Sequence, residues 1–203
     1  SALAHGVERI YLGNEPFRIG ARASENLKER DQITLLDYPL THSAKDTESM
    51  AERMWDAGCR TFIVLGGDGT GRIVARQYPD AVLLPLSTGT NNVFPFREEA
   101  SVAGAAAGLI ASGRLPVEEV CSRCKRIIID TNDPNNPDDI ALIDAVVLHD
   151  DVMGSFMPFE GKQLGTLILT RAEPGSVGMS PIGGYLRPCV HEDDWGVIVC
   201  CNP

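Results

Sequence analysis

The feature that most constrains the fold is an alternation of short apolar runs with helical patterns over the first 115 residues. The apolar runs predict strands at residues 9–13, 33–37, 61–65 and 81–86. The stretches between them predict helices at residues 46–58, 71–78 and 98–112. Strands that alternate with helices form a parallel sheet of βαβ units. We therefore predict an α/β domain over residues 1–115, with Asp46 or Thr47 as the N-cap of its first predicted helix.

The pattern changes after about residue 115, where strands are predicted without a convincing helix between them. These strands cover residues 126–130, 141–148 and 165–170. Turn-forming residues fill the connections at 131–139, 173–176 and 181–184. We predict a smaller, β-rich domain over residues 116–203, whose last residues form a sheet edge.

Composition limits which partners the protein can bind and where we expect it in the cell. The formal net charge is −10, so we expect neither nucleic acid nor an anionic membrane as a partner. No apolar run reaches the roughly 18 residues of a membrane helix, and the first residues lack a secretory pattern. Six cysteines are too few for a disulfide scaffold, which indicates reduced thiols and a cytoplasmic protein. Cys121 and Cys124 form a lone CxxC, too little for us to predict a zinc site.

Two glycine-rich segments follow neighbouring predicted strands, GGDGTGR at residues 66–72 and LSTGTNNVFP at 86–95. Ligands of parallel α/β sheets bind beyond the carboxyl ends of the strands. Glycine lets main-chain amides approach a ligand closely, and helix N-termini favour anions. The spacing matches neither the Walker A motif nor the dinucleotide motif GxGxxG. The segments predict a phosphate site, and the alternative is two structural turns.

Asp68 is the residue that a purely structural turn explains least, because a carboxylate repels phosphate. It can accept a proton from an attacking hydroxyl, bind Mg²⁺ or hydrogen-bond a sugar hydroxyl. Alternatively it caps its own turn or the following helix. Arg72, one turn later, either reaches a phosphate or is a solvated helix arginine.

The pair GGDGT and STGTNNVFP resembles the ATP-NAD kinase family, which is related to diacylglycerol kinases. The resemblance is closest to the acetoin-catabolism protein X branch of that family. GSVGMSPIGGYLRP, at residues 175–188, is similar to a later segment of the same branch. The resemblance implies an α/β domain followed by a β-rich one, and a homo-oligomer.

The resemblance also implies roles for particular residues. Gly66, Gly67 and Gly69 would lie against phosphates, and Asp68 would activate the 2′-hydroxyl of the adenosine ribose of NAD. Asp144 stands where the family has an Asn-Glu pair that contacts the dinucleotide, although Ile143 replaces the asparagine. The other implied nucleotide-binding residues are Thr70, Arg72, Thr88, Gly89, Thr90, Asn91 and Asn92.

The main hypothesis from the sequence is an NAD kinase-like phosphotransferase that uses ATP or polyphosphate with Mg²⁺ and makes NADP, with a link to acetoin catabolism through the branch. A diacylglycerol-kinase-like enzyme acting on a lipid or another alcohol is the second hypothesis. An exposed apolar groove near the site would favour it, and the sequence has no obvious lipid-facing stripe. The third hypothesis is a nucleotide-sensing regulatory protein without turnover, which the altered Asn-Glu pair favours.

Overall fold

The computed structural model describes residues 1–89, 92–135, 137–150 and 161–201. This part of the chain forms two compact units. The first unit contains the described residues of Ser1–Gly89 and Pro95–Ser122. The second contains those of Thr90–Phe94 and Arg123–Pro203.

The first unit is an α/β structure with parallel strand pairs, as predicted. Its strands are β1 (Ile10–Gly13), β2 (Ile33–Leu36), β3 (Thr61–Gly66) and β4 (Val82–Ser87). Its helices are α1 (Ile19–Ser24), α2 (Ala44–Asp56), α3 (Asp68–Gln77), α4 (Ala100–Ala111) and α5 (Val117–Val120). Short 3₁₀ turns cover Leu3–His5 and Arg30–Gln32. β1 pairs with β2 and β3 pairs with β4, both in parallel.

Alternation along β3 decides which face of its sheet is buried. Phe62 and Val64 belong to one apolar cluster with Ala51 of α2 and Val74 of α3. Successive side chains of a strand point to opposite faces, so Leu65 lies on the other face, where it is exposed. Helices α2 and α3 therefore cover one side of the sheet. This packing holds the start of α3 next to the end of β3.

The start of α2 differs from the prediction. The helix begins at Ala44, and its N-cap is Ser43, whose Oγ accepts a hydrogen bond from the amide of Lys45. The prediction of Asp46 or Thr47 as N-cap was therefore wrong. Asp46 already accepts hydrogen bonds from the amide and the hydroxyl of Thr41, each 2.7 Å long. Its carboxylate holds the preceding turn, which leaves the cap to Ser43.

Helix α4 packs closely because its residues are small. Gly108 lies against the 3₁₀ turn at the N-terminus, where an added Cβ would come within 2.6 Å of the carbonyl oxygen of Ala2. The helix also contacts β3. Its N-cap is Glu99, whose side chain accepts hydrogen bonds from the amides of Ser101 and Val102. The helix begins at Ala100, two residues after the predicted start.

The second unit is β-rich, as predicted. Its strands are β5 (Ile127–Ile129), β6 (Asp139–Ala141), β7 (Asp144–Leu148), β8 (Leu164–Leu169) and β9 (Val197–Cys200). β5 and β6 form an antiparallel pair, and β8 is the central strand between β7 and β9 in an antiparallel sheet. A 3₁₀ turn covers Gly161–Gln163. The core includes Leu167, Leu169, Ala172, Met179, Cys189 and Val197.

Two predictions about the second unit were wrong. The single strand predicted at 141–148 is divided, since Leu142 and Ile143 form a buried corner between β6 and β7. The hydroxyl of Thr170 donates to the carbonyl of Leu142 at 2.7 Å and so holds that corner. The predicted turn at 181–184 lies inside a helix, α6 (Ser180–Leu186), which has a proline in its first turn. Proline is well tolerated there, because the first amides of a helix have no intrahelical acceptor.

Candidate functional site

The two glycine-rich segments leave the β3–β4 sheet at the same edge. β3 and β4 run in parallel, and the last pair in their register is Gly66 with Ser87. The second segment returns to the sheet at Phe96, whose amide donates to the carbonyl of Pro85 at 3.2 Å. Phe96 in turn accepts a hydrogen bond from the amide of Ser87 at 2.9 Å. Both segments therefore begin at the carboxyl end of the sheet, where ligands of α/β folds bind.

Helix α3 begins inside the first glycine-rich segment. The sequence predicted a start at residue 71, whereas the helix starts at Asp68 with Gly67 as its N-cap. The amides of Thr70 and Gly71 both donate to the carbonyl of Gly67, at 3.1 and 3.2 Å. The helix start was not predicted from the sequence because glycine has a low helix propensity. The segment is thus the first turn of a helix, and the first turn carries the positive end of the helix dipole.

The glycines of this segment differ in the space around them. A Cβ added to Gly66 would lie 2.6 Å from Oγ1 of Thr70, so that space is already filled by the protein. A Cβ added to Gly69 would meet no atom within 4 Å among the atoms compared, and Gly69 is exposed. Gly66 is explained by packing of α3 on β3. Gly69 lies beside open space that an anion could occupy.

Asp68 is the first residue of α3 and is partly buried. A carboxylate in the first turn of a helix is stabilised by the dipole, and this explains its place in part. Gly67, and not Asp68, is the N-cap residue. Arg72 follows four residues later on the same helix, a spacing that puts both side chains on one face. One acidic and one basic side chain thus share a face at the start of α3.

The other predicted nucleotide-binding residues are divided between the units. Thr88 and Gly89 are exposed at the end of β4 in the first unit. Asn92 and Asp144 belong to the second unit. Thr90 and Asn91 lie outside the described residues. The contacts of all these residues with a nucleotide remain predictions.

Asp144 begins β7 and is paired with Leu169 in the central strand β8. The preceding Ile143 is a core residue, 3% exposed. Ile143 therefore contributes to the core of this chain.

The segment at 175–188 owes several of its residues to close packing. Ser180 is fully buried, and its hydroxyl accepts from the amide of Glu173 and donates to the carbonyl of Arg171, both at 3.0 Å. A Cβ on Gly184 would lie 2.5 Å from the main-chain nitrogen of Pro174. These contacts bring α6 against the chain that follows β8.

Within the described ranges, no group of three or more His, Cys, Asp or Glu side chains could hold a metal ion. Cys121 and Cys124 are not joined in a disulfide. Burial, together with the nearby Glu118, raises the pKa of Cys121, which disfavours the thiolate that metals bind.

Sequence reasoning missed an apolar row beside the glycine-rich segments. Leu65 pairs with Leu86, and Leu86 forms a bridge with Phe96. Leu65 is 65% exposed and Phe96 is 49% exposed. In the structure, buried and exposed residues alternate along β3, which puts Leu65 opposite the covered face. The apolar run TFIVL contains no such alternation, so the sequence contained no signal for this row.

Comparison with known proteins agrees with this architecture. Residues 9–114 match the ATP-NAD kinase N-terminal domain, and residues 125–203 match the acetoin catabolism protein X C-terminal domain. Acetoin catabolism protein X of Cupriavidus necator is 36% identical over an alignment of 205 positions, which covers 96% of this chain and 56% of that protein. No solved structure matches the chain. Among the described residues, none of the helices has the length and hydropathy of a membrane span.

An α/β unit with parallel strands, followed along the chain by an antiparallel β-rich unit, is an NAD kinase-like fold, and the chain belongs to the ATP-NAD kinase family, whose N-terminal domain covers more than half of it. Within that family its similarity is to acetoin catabolism protein X, and the chain spans just over half the length of that relative. The resemblance predicted from the two glycine-rich segments is confirmed.

Proposed function

We propose that the protein is an NAD kinase-like phosphotransferase, which moves a phosphoryl group from ATP or polyphosphate to the 2′-hydroxyl of NAD and yields NADP. The single observation that carries the proposal is the first turn of α3. There Gly69 borders open space, and Asp68 is the neighbouring acid. Family membership supports the reaction class, because the family is named for the phosphorylation of NAD by ATP.

The open space at Gly69 fits a phosphate. The first amides of a helix have no intrahelical acceptor and point outward along the axis, and the dipole favours negative charge there. The absence of a side chain at Gly69 lets an anion approach the main chain. The end of β4, with the exposed residues Thr88 and Gly89, lies at the same sheet edge and offers further polar groups.

Asp68 is proposed as the catalytic base. Its carboxylate accepts the proton of the 2′-hydroxyl while the ribose oxygen forms a bond to the γ-phosphorus. The bond between that phosphorus and the bridging oxygen breaks, and ADP leaves when ATP is the donor. Such a transfer depends mainly on alignment and on neutralisation of phosphate charge. Mg²⁺ bound to the phosphates would supply that neutralisation, and the Asp68 carboxylate is also a ligand type that Mg²⁺ accepts.

The test is NADP formation from NAD with Mg²⁺ and either ATP or polyphosphate, comparing the wild-type chain with Asp68→Asn. We expect Asp68→Asn to lose about 10²- to 10⁴-fold in kcat while it still binds ATP. Asp56→Asn, a change at the exposed end of α2, is the matched control and should keep full activity. Wild-type protein that binds ATP but makes no NADP would contradict the proposal and favour the nucleotide-sensing alternative.

A lipid or alcohol kinase of the diacylglycerol type is the second candidate. The observation in its favour is the exposed pair Leu65 and Phe96 next to the first glycine-rich segment. A short-chain diacylglycerol offered with ATP and Mg²⁺ is the substrate to test, with phosphatidic acid as the product measured. Turnover of the lipid without turnover of NAD would replace the first candidate by the second.

The name of the Cupriavidus necator relative assigns that protein to acetoin catabolism, and we extend the same context to this chain as part of the proposal. A homo-oligomer in the cytoplasm is likewise proposed. Light scattering of the purified chain measures the oligomeric state, and a monomer at all concentrations would contradict that part.

A further inference from the structure

Three apolar side chains form a row across the carboxyl end of the β3–β4 sheet. Leu65, Leu86 and Phe96 are joined in register by strand pairing and by one bridge. The row lies on the face opposite to α2 and α3, because Phe62 and Val64 occupy the face that these helices cover. We call these three residues the apolar row.

The apolar row is exposed although it belongs to paired strands. Leu65 is 65% exposed and Phe96 is 49% exposed, while Leu86 between them is partly buried. Single exposed apolar residues are ordinary, but contiguous ones mark binding surfaces. Neighbouring strands are about 4.8 Å apart, so a row across three of them is about 10 Å long. A surface of this size fits a small ring system better than a protein partner, whose interface is larger.

The position of the row relates it to the phosphate cradle. Leu65 is joined directly to Gly66, and Leu86 is joined directly to Ser87, the two residues that end the strand register. If the phosphates of a nucleotide lie at the first turn of α3, its nucleoside can extend over the same sheet edge. The row carries no polar side chain, so it can bind the flat apolar face of a base but cannot read its hydrogen-bonding edge.

We propose that the apolar row is the base subsite for the nucleotide that donates the phosphoryl group, an inference that rests on the proposed function. Two consequences follow. ATP binds more tightly than tripolyphosphate, because only ATP has a base to cover the row. ATP and GTP bind with similar affinity, because the row distinguishes purines poorly.

Ile63 can be used to distinguish a bound base from an acyl chain or a second copy of the protein. It lies two residues before Leu65 on the same face of β3 and is 43% exposed. A base at the row leaves Ile63 uncovered. A lipid chain that runs along β3, or a broad protein interface, covers Ile63 and Leu65 together.

The experiment measures binding of ATP and of tripolyphosphate by calorimetry to the wild type, Leu65→Ser, Phe96→Ala and Ile63→Ser, with Mg²⁺ present throughout. We expect Leu65→Ser and Phe96→Ala each to weaken ATP binding by about tenfold, a loss in the range of one stacking contact. Binding of tripolyphosphate to these variants should stay unchanged, and Ile63→Ser should bind both ligands like the wild type.

Each other outcome has a separate meaning. Equal affinity of the wild type for ATP and tripolyphosphate, or unchanged ATP binding by Leu65→Ser and Phe96→Ala, overturns the base subsite and leaves the phosphate cradle intact. Equal losses in Ile63→Ser and Leu65→Ser, with a change in molecular mass or in binding of a short-chain diacylglycerol, assign the surface to a second copy or to a lipid. No binding of either ligand to the folded wild type overturns the proposed function itself.

Discussion

Gly66, the last residue of β3, lies directly beneath the side chain of Thr70 in the first turn of α3. A Cβ at Gly66 would stand 2.6 Å from Oγ1 and 2.8 Å from Cβ of Thr70. This contact sets how closely α3 approaches the strand, and therefore where its first turn, with Asp68 and Gly69, meets the sheet edge.

We predict that Gly66→Ala destabilises the protein by about 1–3 kcal/mol, because the new methyl group overlaps Thr70. Thr70→Ala removes the nearest atom, so the double variant should recover part of the loss. The free energy of unfolding, measured by urea denaturation of the four proteins, checks this. Additive effects of the two substitutions would show that the contact is not responsible.

Gly69→Ala should lower ligand affinity and not stability, in contrast to Gly66→Ala. The added methyl group meets no atom within 4 Å beyond its chain neighbours and the backbone of its own helix, and alanine favours helix over glycine by about 0.5–1 kcal/mol. Folding stability should therefore be kept or slightly raised, while the affinity for both ATP and tripolyphosphate falls. Gly175→Ala, also into open space but in the second unit, is the matched control. Unchanged affinity of Gly69→Ala for tripolyphosphate would argue against a phosphate at this turn.

Gly184→Ala tests the packing of α6 in the second unit. Its methyl group would lie 2.5 Å from the nitrogen of Pro174 and 2.6 Å from the carbonyl carbon of Glu173. Main-chain atoms cannot rotate away, so we expect a loss of about 2–3 kcal/mol and a lower Tm by calorimetry. Gly175→Ala serves again as the control, with Tm unchanged. Equal Tm values for the two variants would refute this account of α6.

Asp46 should make stability depend on pH. Hydrogen bonds from Thr41, the hydroxyl first, hold the pKa of Asp46 below its ordinary value. A carboxylate with a lowered pKa in the folded state stabilises the protein above its unfolded pKa of about 3.9. That stabilisation disappears as the pH falls through the folded pKa.

Asp46→Asn should accordingly have a lower Tm than the wild type at pH 7, and the difference should shrink as the pH is brought below about 4. Thermal unfolding from pH 7 to pH 3 measures this. Asp31→Asn, at an exposed 3₁₀ turn, is the matched control for the loss of one carboxylate. A constant difference across the range would mean that the charge of Asp46 is not what stabilises the turn.

Much of the fold could be predicted from the chain alone, because it depends on local patterns. Apolar runs separated by helical stretches predicted the parallel pairs β1–β2 and β3–β4. The glycine-rich segments identified the family and the sheet edge. The start of α3 at Asp68 could not be predicted in the same way, because glycine has a low helix propensity. In the structure, the packing of Thr70 of α3 on Gly66 of β3 outweighs that propensity.

The same distinction applies to the second unit. The apolar runs predicted the strands, but glycine and proline dominate residues 181–184 and so predicted a turn there. In the structure Gly183 and Gly184 allow α6 to approach the residues that follow β8, so these glycines serve packing and not a turn. Composition cannot distinguish these two uses of glycine, since the difference depends on which atoms of the folded protein face the glycine.

The sequence by itself determined the fold class, the family and the identity of the loop that carries Asp68, because each depends on residue type and spacing along the chain. Tertiary structure decided which face of β3 is covered, that Gly69 borders open space while Gly66 does not, and that Leu65 and Phe96 stand exposed in one row. These properties depend on which residues meet across strands and helices, and no local pattern contains that information.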